Sequence, residues 1–186
     1  MITVFSTYRT ASTYLCNQLQ KENTSYKNLG EHFHEKFLSD HKQRLSEIFD
    51  TSEIILKIFP HHLNVSKEQL LPSILELSKR NIFLIRPDFD SQVQSYYIAK
   101  YLSRTEKKTW HEEWNKPIEI ELDKEYYQRC VNFLHKEYYT LSDLYNKVKN
   151  KELIFTNQLE QHKYKRPVIW DKKPGYTNID IEELFV

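Results

Sequence analysis

Ile2-Thr3-Val4-Phe5-Ser6-Thr7-Tyr8-Arg9-Thr10-Ala11-Ser12-Thr13-Tyr14-Leu15 opens the chain, and its reading decides the fold class. A short apolar run ends in a hydroxyl-rich turn carrying one Arg, and an apolar-periodic segment follows at once. Strand, loop and helix N-terminus in that order make an anion site. The N–H groups of a first helical turn have no intrahelical partner, and the helix dipole adds partial positive charge. Thr10, Ser12 and Thr13 add hydroxyl donors, and Arg9 adds a forked cation matched to phosphate or sulfate oxygens. The Walker pattern needs Gly at both ends and a Lys-Ser/Thr pair, which this loop lacks. It is an anion cradle of another type.

Working outward, apolar runs at 53–59, 81–85 and 152–156 are as short and continuous as the first. Such runs predict strands buried on both faces. Between them, 10–22, 66–79, 88–102 and 123–149 carry helical spacing; the second opens on a Ser66-x-x-Gln69 capping box. Strands alternating with helices predict an α/β fold, a three-layer sandwich with a central, mainly parallel sheet flanked by helices. The 186 residues are expected to form a single domain spanning 1–186. Loops after the carboxyl ends of parallel strands gather at one edge, where ligands bind. Tyr8-Arg9, Lys57 with His61-His62, and Arg86-Pro87-Asp88 each bring a cation to that edge.

Lys and Arg total 27 against 26 Asp and Glu, which argues against nucleic-acid binding driven by net charge. Cys16 and Cys130 make neither a disulfide framework nor a CxxC metal spacing, and both are expected as buried free thiols. The histidines match no standard metal motif, so no metal is expected. No apolar run approaches the ~20 residues a membrane span needs, and no leader pattern precedes the first strand, so the chain is expected to be soluble and cytoplasmic. Only two glycines occur, Gly30 and Gly175, and both fall in stretches read as functional loops.

The third strand ends in Arg86, and the helix after it carries Gln92, Ser95 and Ala99. An Arg at a strand end with a Ser on the next helix is a plausible grip for one phosphate. Taken alone, Ser95 is better explained as a helix Ser bonding back to its own carbonyls. Together with the Tyr8–Leu15 loop, this pattern resembles the sulfotransferases that use 3′-phosphoadenosine 5′-phosphosulfate (PAPS). The run Arg86-Pro87-Asp88, Gln92, Ser95, Ala99 and Trp110-His111 is most similar to the bacterial trehalose 2-sulfotransferase type. That resemblance implies a P-loop NTPase-like sulfotransferase fold. It implies that Tyr8, Arg9, Thr10, Ala11, Ser12, Thr13 and Tyr14 hold the 5′-phosphosulfate, and that Arg86 and Ser95 hold the 3′-phosphate. Ala11 and Pro87 depart from it, standing where the family has a loop Gly and the subfamily a second Arg.

By the same resemblance, Arg9 and Lys57 neutralise charge at the transferring group without a metal. Glu31, in Leu29-Gly30-Glu31-His32-Phe33-His34, is the first choice for the base, in competition with His32, His34, His61 and His62. His32, His34, Trp110 and His111 are the candidates for holding the acceptor, a small molecule or glycan hydroxyl, with Trp114 beside them. Two rivals stand beside this reading: a P-loop-like nucleotide kinase and a non-catalytic binder of 3′,5′-bisphosphate nucleotides. The oligomeric state is open.

Overall fold

The computed structural model describes residues 1–33, 46, 48, 50–51, 53–63, 67–105, 118–159, 168–172, 174–175, 177 and 179–185. Its centre is a five-stranded sheet in which every pairing is parallel. The strands are β1 (Ile2–Ser6), β2 (Lys27–Gly30), β3 (Ile54–Ile58), β4 (Arg80–Ile85) and β6 (Lys151–Phe155), in the order β2-β3-β1-β4-β6. A second, two-stranded parallel sheet pairs β5 (Ile118–Ile120) with β7 (Val168–Trp170). The four strands expected from continuous apolar runs all form. β2 reads Lys-Asn-Leu-Gly and carries no apolar run; it forms because β3 offers it an edge to pair with.

The helices are α1 (Ser12–Glu22), α2 (Lys67–Leu77), α3 (Phe89–Thr105) and α4 (Lys124–Lys147). Alternate strand residues point to opposite faces, which divides the core in two. Ile2, Val4, Ile55, Ile82 and Leu84 pack against Leu15, Cys16 and Leu19 of α1. Phe5, Leu56, Ile58, Phe83 and Ile85 pack against α3 and α4 through Phe89, Val93, Tyr97, Leu134, Tyr138 and Leu141. Each fully buried side chain of this kind contributes roughly 1.5–3 kcal/mol. None of the described helices is long and apolar enough to cross a membrane.

This topology positions the site. From β1 the chain turns to α1 on one face, whereas from its neighbour β4 it turns to α3 on the other. Two adjacent strands whose connections leave to opposite faces open a crevice at their carboxyl ends. The Tyr8–Ala11 loop stands at the carboxyl end of β1 and Arg86 at that of β4, where its Nη1 meets the Arg9 carbonyl at 3.1 Å.

Candidate active site

The loop between β1 and α1 is held in an unfavourable backbone shape. Arg9 has φ 63° and Ala11 φ 57°, both left-handed. An L-residue there is disfavoured by about 1–2 kcal/mol, and such strain gathers at functional sites. Alternation of left- and right-handed residues turns successive backbone N–H groups into one concavity, a shape suited to anions. Ala11 is also the N-cap of α1, with no side-chain cap hydrogen bond to compete for the first-turn donors. An Ala in place of the family's Gly was expected to fit if this position needed no positive φ; it has one, and Ala11 takes the left-handed conformation with its strain.

Hydrogen bonds hold the strained loop in place. Thr10 Oγ1 donates to the Thr7 carbonyl at 2.9 Å, so that hydroxyl proton is engaged inside the loop. Gln92, fully buried on α3, donates from Nε2 to Thr7 Oγ1 at 2.8 Å and to the Tyr8 carbonyl. Its Oε1 accepts from the Tyr138 hydroxyl of α4 at 2.6 Å. The Arg86 N–H donates in turn to the Tyr138 oxygen at 3.2 Å. One amide thus couples the loop to the end of β4 and to the long helix. Gln92 stood in the motif order without a role, and no pattern in the sequence pointed to Tyr138.

One arginine, Arg9, belongs to this loop and a second, Arg86, faces it. Arg9 Nε donates to Ser95 Oγ at 2.9 Å across 86 positions of sequence. Arg86 Nη1 donates to the Arg9 carbonyl at 3.1 Å, and its Nη2 to Ser91 Oγ at 2.6 Å. Burial lowers the pKa of the Arg9 guanidinium, and the Arg86 cation lowers it further. Burial lowers that of Arg86 too, offset in part by Asp88. Both groups remain cations at neutral pH, crowded and half-desolvated. An anion between them would relieve that crowding.

Lys57 lies within β3 and points to the α1 face, only 5% exposed. Its ammonium donates to Thr13 Oγ1 at 3.0 Å and pairs with Glu31 Oε1 at 2.7 Å. The short strand β2 delivers Glu31. A register shift between Asn28 and Gly30 and the left-handed φ of 58° at Gly30 turn the chain just ahead of it. That φ, rather than space, is what calls for glycine, since a Cβ there would meet nothing within 4 Å.

His61 sits in a 3₁₀ turn, Pro60–Leu63, just beyond β3, and bonds to Tyr8 of the loop and Glu137 of α4. Ser12 is buried at the start of α1, and Tyr14 is half-buried on it. His32 is buried with its ring edge-on to Phe33. His34, Trp110, His111 and Trp114 lie outside the described residues. The structure therefore draws Tyr8, Arg9, Arg86 and Ser95 into one cluster, Thr13, Glu31 and Lys57 into a second, and joins His61 to the first through Tyr8. Among the described residues, no group of three or more His, Cys, Asp or Glu is placed to hold a metal ion.

No family model, curated protein or solved structure matches this chain. Its chemistry has to be read from its own geometry.

Proposed function

We propose that this protein binds a 3′-phosphoadenosine nucleotide at the carboxyl edge of its sheet and transfers a sulfuryl group from PAPS to a hydroxyl acceptor. One observation carries the reading. Arg9, within the left-handed loop that precedes α1, and Arg86, just past the end of β4, are both half-buried, and both are destabilised as cations by desolvation. An anion with two separated charged groups fits such an arrangement. In this reading Arg9, Thr13 and the first turn of α1 take the phosphosulfate, and Arg86 with Ser95 takes the 3′-phosphate.

Sulfuryl transfer resembles phosphoryl transfer in asking the protein mainly for positioning and charge neutralisation. Lys57 is suited to that work, since Thr13 and Glu31 hold its ammonium on the α1 side of the loop. Tyr8, Tyr96 and Phe133 stack on one another beside the loop, at 5.3 and 5.4 Å, and brace it, and the acceptor class, a carbohydrate or glycolipid hydroxyl, is taken from the resemblance.

Calorimetric titration with adenosine 3′,5′-bisphosphate, beside ADP and without magnesium, tests the reading. Tight binding of the bisphosphate with none of ADP is expected. Equal affinity for the two, or a need for magnesium, would replace it with a kinase-like role. Bisphosphate binding without any turnover of PAPS would leave a non-catalytic nucleotide binder.

A further inference from the structure

Glu137 occupies a position on α4 that packing alone would give to a leucine. It lies three residues after Leu134 and four before Leu141, on the helix face that enters the core, and is 4% exposed. A carboxylate buried there is unfavourable by several kcal/mol unless hydrogen bonds compensate. Both of its hydrogen bonds go to one residue. Oε2 accepts from His61 Nδ1 at 2.9 Å and from the His61 backbone N–H at 3.4 Å.

The imidazole is fixed on every side. It stacks on Tyr8 with ring centroids 5.0 Å apart and touches the rings of Phe59, His62 and Phe133. A carboxylate on Nδ1 fixes the tautomer and leaves Nε2 as an acceptor. The Tyr8 hydroxyl meets that nitrogen at 3.1 Å. The chain of bonds therefore runs in one direction, from Tyr8 through His61 to Glu137. It begins on Tyr8, the residue immediately before Arg9 in the anion loop. Glu31, the first choice for the base from the sequence, is already engaged with Lys57.

We propose that Tyr8, His61 and Glu137 form a proton relay that removes the acceptor proton during transfer, an inference that rests on the sulfuryl-transfer reading. The acceptor oxygen forms its bond to sulfur while the bridging S–O bond of the donor breaks and its electron pair leaves on the phosphate. The acceptor proton passes to Tyr8 Oη as the Tyr8 proton passes to His61 Nε2. Glu137 takes no proton; it is a positioning residue that holds Nδ1–H and stabilises the imidazolium that forms. The sequence offered no sign of it, because a Glu within an amphipathic helix reads as solvated until its face is known.

The full chain tests this with three variants and PAPS as the probe, water serving as acceptor. Tyr8→Phe keeps every ring contact and removes only the hydroxyl; Glu137→Gln keeps the shape and removes the charge. Both are expected to bind adenosine 3′,5′-bisphosphate within about two-fold of wild type while release of bisphosphate from PAPS falls roughly 100-fold. In proton NMR of wild type, a downfield signal from the hydrogen-bonded His61 Nδ1–H is expected, and its loss in Glu137→Gln. Added imidazole is expected to restore part of the turnover of His61→Ala, which a purely structural role would not allow. Unchanged turnover in Tyr8→Phe and Glu137→Gln would overturn the relay and leave the transferase reading standing. Loss of bisphosphate affinity in both variants would make the three residues a brace for the loop and overturn it equally. A wild-type chain that fails to bind the bisphosphate would overturn the parent reading and the relay with it.

Discussion

The two edges of the central sheet handle positive charge in opposite ways. At the amino edge, Arg80 grips Glu152 with Nε and Nη2, at 2.9 and 3.1 Å, across the β4–β6 pairing, and both side chains are 43% exposed. The left-handed residue of that edge is Asn150, a type that tolerates the conformation. At the carboxyl edge, Arg9 and Arg86 lie half-buried near each other, donating to a serine hydroxyl, a carbonyl and a second serine hydroxyl. The left-handed residues there are Gly30, which tolerates the conformation, and Arg9 and Ala11, types that resist it. The amino edge pairs its arginine with a carboxylate, and the carboxyl edge leaves its two arginines on neutral oxygens.

Substitutions can break that contrast or sharpen it. Arg86→Ala is expected to lower affinity for adenosine 3′,5′-bisphosphate about 100-fold by calorimetry, roughly 2.7 kcal/mol. Arg80→Ala is expected to leave that affinity unchanged; a comparable loss from Arg80→Ala would erase the distinction between the edges. Gln92→Leu takes the amide donor from Thr7 Oγ1 and the Tyr8 carbonyl, while Tyr138 keeps its bonds to Arg86, and is expected to destabilise the fold by about 2 kcal/mol in urea. Ala11→Val, a β-branched side chain at positive φ, is expected to lower stability by about 1–2 kcal/mol, with Ala11→Gly nearly neutral. If Val were tolerated as well as Gly, the loop would not be strained. At the amino edge, Glu152→Gln removes an exposed pair and is expected to lower stability by less than about 1 kcal/mol.

The smallest effect at neutral pH concerns the thiols. Burial raises the pKa of Cys16 and of Cys130 to about 11, although Lys57 pulls the first down and Lys100 the second. The unfolded chain releases these protons near the ordinary value of 9.0, where the folded chain still holds them. Their contribution to stability is therefore full below pH 9 and is lost as the pH rises towards 11. Denaturation midpoints measured across that range are expected to fall. A midpoint flat to pH 11, or rapid labelling of both thiols at pH 8 in the native protein, would contradict their burial.

The layout of the site was more legible than its bonds. The strands beginning at Ile2, Ile54 and Arg80 and the helices from Ser12 and Phe89 were readable from apolar spacing, because burial on both faces imposes a continuous run and burial on one imposes a helical period. The gathering of Arg9, Lys57, His61 and Arg86 at one edge followed from parallel strands alone. β2, β5 and β7 were not readable, since short or polar strands depend on a partner edge rather than on their own pattern. Gln92, Tyr138 and Glu137 took part unforeseen because each is defined by a partner 46 to 85 positions away along the chain.

By itself, the sequence determined that this protein is an alternating α/β chain whose first strand opens into a cationic, hydroxyl-bearing loop. Those features are local, and local apolar periodicity and residue type suffice to state them. Only the tertiary structure decided that Arg9 meets Ser95, that Lys57 meets Glu31, and that a buried Glu137 stands behind His61. Those contacts follow from strand order, register and helix facing, and these arise when the two apolar faces of the sheet are covered together.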